Sequence, residues 1–302
     1  MSGSADQPPL RRNPFSPMAV AKITGFEDSD AVELTIETDA IRQATSYLTD
    51  YLAAAPADAG QDRGGEVIAI LGDYGTGKTH LAIELVRRAS RELNDPGRAM
   101  YLDATADGFV ELHHRFMRKL GLTGVRNRVS DYYADIVAEA LQGSGLDSDV
   151  VEWLRNRELA PQKVVEKLGL MESALLRKVR QTLQRVTDNT DFGTALTLLL
   201  RSGFDDVVWS WLTGNEPDQV LVERGITRPI DSDVASLEAM GVFALLYGGR
   251  QARFVLVIDE LDKIFSGANQ PEEDTATAFQ KLLEVFAGAG ACLVLSGLPE
   301  FR

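Results

Sequence analysis

Val67-Ile68-Ala69-Ile70-Leu71 is an unbroken apolar run, and a helical pattern opens at Lys78 with Leu81, Ala82, Leu85, Val86 and Ala89 on one face. Between them stand Gly72-Asp73-Tyr74-Gly75-Thr76-Gly77. Apolar residues without alternation are the pattern of a strand buried on both faces of a parallel sheet. Asn94-Asp95-Pro96-Gly97 stops the helix, and 99–102 reads as a second strand. Two strands flanking one helix make a βαβ unit. Upstream, Ile41, Ala44, Tyr47, Leu48 and Tyr51 recur at helical spacing, which predicts an amphipathic helix over 39–55, ended by the stretch from Pro56 to Gly65.

Beyond a helix predicted over 108–120, the pattern changes. From 121 to about 225 the periodicities are helical, with candidate helices over 130–141, 149–157, 161–168, 172–186, 192–200 and 205–212, and no convincing strand. Strand chemistry returns with Arg253-Phe254-Val255-Leu256-Val257-Ile258. Pro271-Glu272-Glu273-Asp274 is good first-turn chemistry for a helix whose face carries Phe279, Leu282, Leu283 and Phe286 and which ends before Gly288. A last apolar strand is predicted over 291–295. The chain therefore divides into a flexible N-terminal segment (1–35), the first part of an α/β core (36–120), a helical insertion (121–232) and the second part of the core (233–302). No repeat at solenoid or propeller spacing interrupts this order.

Gly72 to Thr79 matches G-x-x-x-x-G-K-[ST] in full, in the strand-to-helix context that the motif requires. Glycines at 72, 75 and 77 let the backbone take positive φ, so that successive N–H groups face phosphate oxygens. The helix opening at Lys78 adds the positive end of its dipole. Lys78 is placed to reach the β and γ phosphates, and Thr79 to offer a hydroxyl to Mg²⁺. Asp73, Tyr74 and Thr76 complete the nucleotide-binding loop, and His80 follows in the first turn, where packing or capping is its simplest role. A glycine-rich turn with an incidental lysine is the bland alternative. Phe254-Val255-Leu256-Val257-Ile258-Asp259-Glu260 is an apolar strand ending in two acids. An acid at the carboxyl end of a central parallel strand lies where open α/β sheets bind ligands, so Asp259 is expected to meet Mg²⁺ through water. Glu260, on the other side of the pleat, is the candidate to orient and deprotonate an attacking water. His113 and His114 are adjacent and point apart on a helix, so they do not form an i, i+4 metal pair.

With these two motifs and the strand Leu293-Val294-Leu295-Ser296, the chain resembles the AAA+ and STAND-like P-loop ATPases of the Orc/Cdc6-related branch. Gly72 to His80 resembles the loop of ATP-binding proteins in bacterial phage-defence (BREX-like) loci. A second likeness is Trp211-Leu212-Thr213-Gly214-Asn215, leading through a helix at 234–247 into Val257-Ile258-Asp259-Glu260-Leu261. The resemblance implies a three-layer sandwich of the additional-strand class of P-loop NTPases, α/β with a parallel sheet, here carrying a large all-helical insertion that protrudes from the core. It implies ATP and Mg²⁺ as cofactors and places the strand ending at Ser296 between the two motif strands, with Ser296 sensing the γ-phosphate; an ordinary strand-terminal serine explains the same residue. The family pattern continues to a fifth strand, an arginine finger and a lid with a second sensor. None can be placed before Arg302, so a truncated chain is expected, and hydrolysis by this piece alone stays open.

The charge balance narrows the partners. Lys and Arg total 31 against 45 Asp and Glu in 302 residues, a net −14, which disfavours non-specific nucleic-acid binding by the whole surface. Two basic stretches escape that average: Arg115, Arg118, Lys119, Arg126 and Arg128, then Arg177, Lys178, Arg180 and Arg185. They read as solvated helix faces, a nucleic-acid surface or a protein contact. Trp153, Trp209 and Trp211 read as packing residues. The single cysteine, Cys292, lies in an apolar strand and reads as buried and inert. Residues 1–17 lack an apolar signal region and no run spans a bilayer, so the expectation is a cytoplasmic protein without a membrane partner. The expected activity is an ATPase driving conformational change or assembly with protein partners or itself. The alternatives are a non-hydrolysing nucleotide-dependent switch or adaptor, and a DNA-associated motor. No guanine-reading Asn-Lys-x-Asp is present, which favours ATP over GTP.

Overall fold

The computed structural model describes residues 38–54, 64–142, 148–156, 158–161, 163–164, 172–248, 253–266 and 272–299. The expected flexible segment 1–35 and most of the helix predicted over 161–168 lie outside these residues. In chain order the elements are α1 (Asp39–Ala53), β1 (Glu66–Leu71), α2 (Lys78–Leu93), β2 (Ala99–Asp103), α3 (Gly108–Leu120), α4 (Leu122–Gln142) and α5 (Ser148–Arg155). They continue with α6 (Glu172–Leu183), α7 (Asp191–Leu198), α8 (Asp205–Leu212), α9 (Gln219–Val222), α10 (Asp233–Gly248), β3 (Val255–Asp259), α11 (Asp262–Phe265), α12 (Glu272–Ala289) and β4 (Cys292–Gly297).

The strands form one mixed-order, all-parallel sheet, β1-β4-β3-β2. Val255 of β3 stands opposite Ala99 on one side and Cys292 on the other, and Val67 of β1 stands opposite Leu293. Every residue of β3 and β4 is buried, which is why their sequences do not alternate: both faces are covered by helices. β1 departs from this expectation. It is an edge strand in which Ile68 and Ile70 are buried while Val67 (48%) and Leu71 (37%) are exposed. Its residues are as apolar as those of β3, but among the described residues it has one strand neighbour and one covered face.

Two hydrophobic clusters sandwich the sheet. On one face Ile68, Ile70, Val255, Val257 and Val294 pack with Leu48 of α1 and Leu81, Leu85 and Val86 of α2, the α2 face foreseen from spacing. Tyr51 pins α1 to the lower end of the sheet, its hydroxyl 3.1 and 2.9 Å from the carbonyl oxygens of Phe254 and Gly290, and burial pushes that phenol up to about 12. Cys292 lies in the same cluster, its thiol also pushed up to about 12 by burial, so it is an inert core residue. On the other face Leu102, Leu256, Ile258, Leu293 and Leu295 pack with α3, α10 and α12. From Ser236 onward every residue of α10 except Glu238 is buried, as a helix apolar on nearly all sides must be. Its Gly241 lets α12 approach closely, because a Cβ there would lie 2.9 Å from that of Val285.

The helical segment between β2 and β3 shares this second cluster without a break, through Val125, Val129, Phe192, Trp211 and Ile230. Trp211 is fully buried, with its indole N–H donating to the Arg228 carbonyl at 2.8 Å, whereas Trp153 is 47% exposed and is not the packing residue expected. α4 begins at Leu122, well before the predicted 130, because Gly121 at φ 66° separates it from α3 by a single residue. Asp259, Ser296 and Gly297 fall inside strands that the apolar pattern ended one or two residues earlier, because their backbone pairing continues past the last apolar side chain. No helix among the described residues is long and apolar enough to cross a membrane.

His113 of α3 is fully buried, its ring beside the Leu212 backbone and without a well-aligned hydrogen bond among the described residues. Burial, and then the neighbouring His114, holds its pKa down at about 3 from the ordinary 6.5. The native state thus refuses a proton that the unfolded chain accepts below about pH 6.5. The contribution is intact above that value and is lost as pH falls from there toward 3, by about 1.4 kcal/mol per pH unit at the steepest. Denaturant titrations at pH 7 and pH 5 should show this loss in the wild type, and a shallower loss in His113→Leu.

Candidate functional site

The loop after β1 is built by local backbone demands. Gly75 and Gly77 sit at φ 76° and 90°, the left-handed region that only glycine enters without strain. A Cβ at either would meet nothing within 4 Å, so conformation and not crowding requires glycine there. Gly72 is the reverse case, since a Cβ would lie 2.7 Å from Thr76 Oγ1. Gly77 is also the N-cap of α2 and, having no side chain, offers the first turn of that helix no capping acceptor of its own. Lys78 folds back over the loop, its Nζ donating to the Gly72 carbonyl at 2.7 Å and the Asp73 carbonyl at 3.0 Å. The Thr76 hydroxyl donates to the Asp73 carbonyl at 2.8 Å. Tyr74 stands 82% exposed at the loop tip. Thr79 is half-buried and His80 is exposed.

Two strands away, Asp259 ends β3 with its carboxylate buried. Strand alternation turns it to the sheet face of Val255 and Val257, the face that α2 covers. Three donors meet it. The Tyr101 hydroxyl donates to Oδ2 at 2.7 Å, the Ser296 hydroxyl donates to Oδ1, and the Glu260 backbone N–H donates to Oδ1 at 3.0 Å while lying 3.2 Å from Ser296 Oγ. Glu260 lies beyond the end of β3 at φ 55°, so its direction is not set by the pleat that the sequence reading invoked. Its carboxylate pairs with Lys263 of α11. That hydrogen bond holds the Lys263 pKa above its ordinary value. A non-glycine residue in the left-handed region stores backbone strain, a feature that clusters at ligand sites.

The two halves meet at the carboxyl edge of the sheet. β4 lies between β1 and β3, the Gly72 N–H donates to the Gly297 carbonyl at 3.3 Å, and the Leu261 N–H donates to the Ser296 carbonyl at 2.9 Å. The glycine loop, Ser296, Asp259 and Glu260 are therefore gathered by backbone hydrogen bonds at one end of adjacent strands, the position where open α/β sheets bind ligands. Ser296 is engaged with Asp259. Sequence reasoning passed over Tyr101 and Lys263: the first sits in an apolar strand and reads as core, and only the pairing of β2 with β3 reveals its hydroxyl as a site group. Lys263 carried a local signal, three residues after Glu260 in the chain.

The first basic stretch is met by acids from its own helix and from other elements. Arg115 pairs with Asp103 and Glu111, each at 3.1 Å, Arg118 with Glu111 at 2.9 Å, Arg126 with Asp205 at 3.3 Å and Arg128 with Asp95 at 2.6 Å. Lys119 donates to the Tyr101 carbonyl at 2.5 Å. In the second stretch Arg180 donates to Thr194. A run that looks bare in sequence is thus largely neutralised in space.

Ser296→Ala removes a hydroxyl that both donates to the buried Asp259 and accepts from Glu260. The expected loss is about 2 kcal/mol in ligand-free urea unfolding; a change under about 0.5 kcal/mol would show that the hydroxyl does not hold the carboxylate. No protein family matches the chain, and no curated protein and no solved structure is significantly similar to it, so the functional reading rests on this geometry and on the motifs.

Proposed function

We propose that this protein binds ATP with Mg²⁺ at Gly72–Thr79 and hydrolyses it, as a P-loop ATPase of the additional-strand class resembling the AAA+/STAND-like Orc/Cdc6-related branch. The observation that carries this reading is the pairing, at one sheet edge, of an uncapped helix N-terminus inside a glycine loop with a buried, hydrogen-bonded aspartate two strands away. The donor set fits the cofactors. Loop N–H groups and the α2 dipole suit a phosphate, and the hydrogen bonds that hold Lys78 go to carbonyl oxygens that phosphate oxygens can replace, with its ammonium 5.8 Å from the Tyr74 ring centroid. One hydroxyl, Thr79, and one carboxylate, Asp259, make the sparse protein set that suits Mg²⁺, which takes its remaining ligands from phosphates and water. Bound Mg²⁺ supplies charge neutralisation at the phosphate oxygens.

Within this reading Lys78 gives up its loop carbonyls to hold the β and γ phosphates. Thr79 and Asp259 would hold the metal, and Glu260, once it parts from Lys263, would accept the proton of the water whose oxygen bonds the γ-phosphorus as the bond to the ADP oxygen breaks. The three donors on Asp259 keep its carboxylate from swinging, so little reorganisation remains at the moment of reaction. The resemblance supports a role for turnover in conformational change or assembly, with phage defence as the setting. A second reading, a non-hydrolysing switch or adaptor, is favoured by one observation: the Glu260 carboxylate is already occupied by Lys263. The acid partners of Arg115, Arg118, Arg126 and Arg128 weigh against a DNA-associated motor acting through that stretch.

Calorimetry and phosphate release test the proposal. Lys78→Ala should abolish measurable ATP binding at unchanged melting temperature, and Glu260→Gln should bind ATP while its turnover falls about 10²–10³-fold. Normal ATP affinity in Lys78→Ala overturns the site. ATP binding by the wild type with no phosphate release at any protein concentration favours the switch.

A further inference from the structure

We propose that Tyr101 is a positioning residue for the Asp259 carboxylate and thereby sets the divalent-ion affinity of the nucleotide site, an inference that rests on the reading of that site as one for ATP and Mg²⁺.

The geometry is specific. Tyr101 stands in β2 opposite Val257 of β3, one alternation before Asp259 on the same sheet face, and its ring is buried among Ala99, Val255 and Val257. From there the hydroxyl reaches diagonally to Asp259 Oδ2 at 2.7 Å. Burial first, and the Asp259 charge second, raise the phenol's pKa, so it keeps its proton and acts toward the carboxylate only as a donor. Tyr101 is itself held: Lys119 donates to its carbonyl and sets its ammonium 5.8 Å from the ring centroid.

The division of labour on Asp259 follows. Oδ1 is met by Ser296 and the Glu260 N–H, both beside the strand ends, while Oδ2 is met by Tyr101 alone among the described hydrogen bonds. A carboxylate oxygen accepts up to two bonds, so Oδ2 retains acceptor capacity that would serve a bound ion while the phenol fixes the rotamer. Without that bond the carboxylate is anchored at one oxygen only and can rotate about χ2, and hydrogen-bonded partners of metal-binding carboxylates are worth 10–100-fold in metal affinity.

Tyr101→Phe isolates the hydroxyl, because the ring that packs in the core remains. The readout is the ratio of ATP dissociation constants measured by calorimetry in EDTA and in saturating Mg²⁺, with melting temperature as the check on folding. The expected result is an unchanged constant in EDTA and a Mg²⁺-dependent tightening reduced about 10-fold. In the Asp259→Asn background the same substitution should add nothing, since the two act as one unit. A Mg²⁺ ratio equal to wild type overturns the inference and leaves the ATP site standing. Equal weakening with and without Mg²⁺ also overturns it, because the hydroxyl would then serve the fold. Wild-type protein that binds no ATP in either buffer overturns the site itself and this inference with it.

Discussion

A carboxylate buried at the end of β3 ties the molecule together. Burying such a charge is unfavourable by several kcal/mol unless hydrogen bonds replace its water. Asp259 obtains them from Tyr101 on β2, Ser296 on β4 and the backbone of Glu260. The two hydroxyl donors lie 158 and 37 residues away in the chain, so the charge is tolerable only when both neighbouring strands are in register. Strand order and site geometry are for this reason one requirement.

The glycine-loop side is governed differently. Its shape follows from glycine φ values and from a helix that starts without a side-chain cap, both short-range properties. What joins it to Asp259 is β4, inserted between the strands that carry the two motifs, with Gly72 bonded to Gly297 and Ser296 reaching Asp259.

The helical segment between β2 and β3 shows how charge redistributes on folding. Arg115, Arg118, Arg126 and Arg128 follow one another with no acid among them in sequence, yet Asp103, Glu111, Asp95 and Asp205 close on them in space. The net −14 supplies these partners. Hydrophobic residues of the same helices merge with the sheet's outer cluster, so the segment is packed as part of the core's second face.

Local physics made much of this legible from sequence. The strand-loop-helix of 66–93, the buried face of α2 and the acidic end of β3 each depend on residues within a few positions of one another, where spacing, glycine conformation and apolar runs act directly. Boundaries failed where backbone pairing outlasts the apolar pattern, as at Ser296 and Gly297, or where one glycine breaks a helix, as at Gly121. What only the tertiary structure decided is which elements become neighbours: that β1 is an edge with Val67 and Leu71 uncovered, that Glu260 leaves the pleat and pairs with Lys263, and that a tyrosine in an apolar strand serves a carboxylate. Composition and periodicity describe a residue's surroundings along the chain, whereas a hydrogen bond depends on surroundings in space, and those exist only once the strands have been ordered.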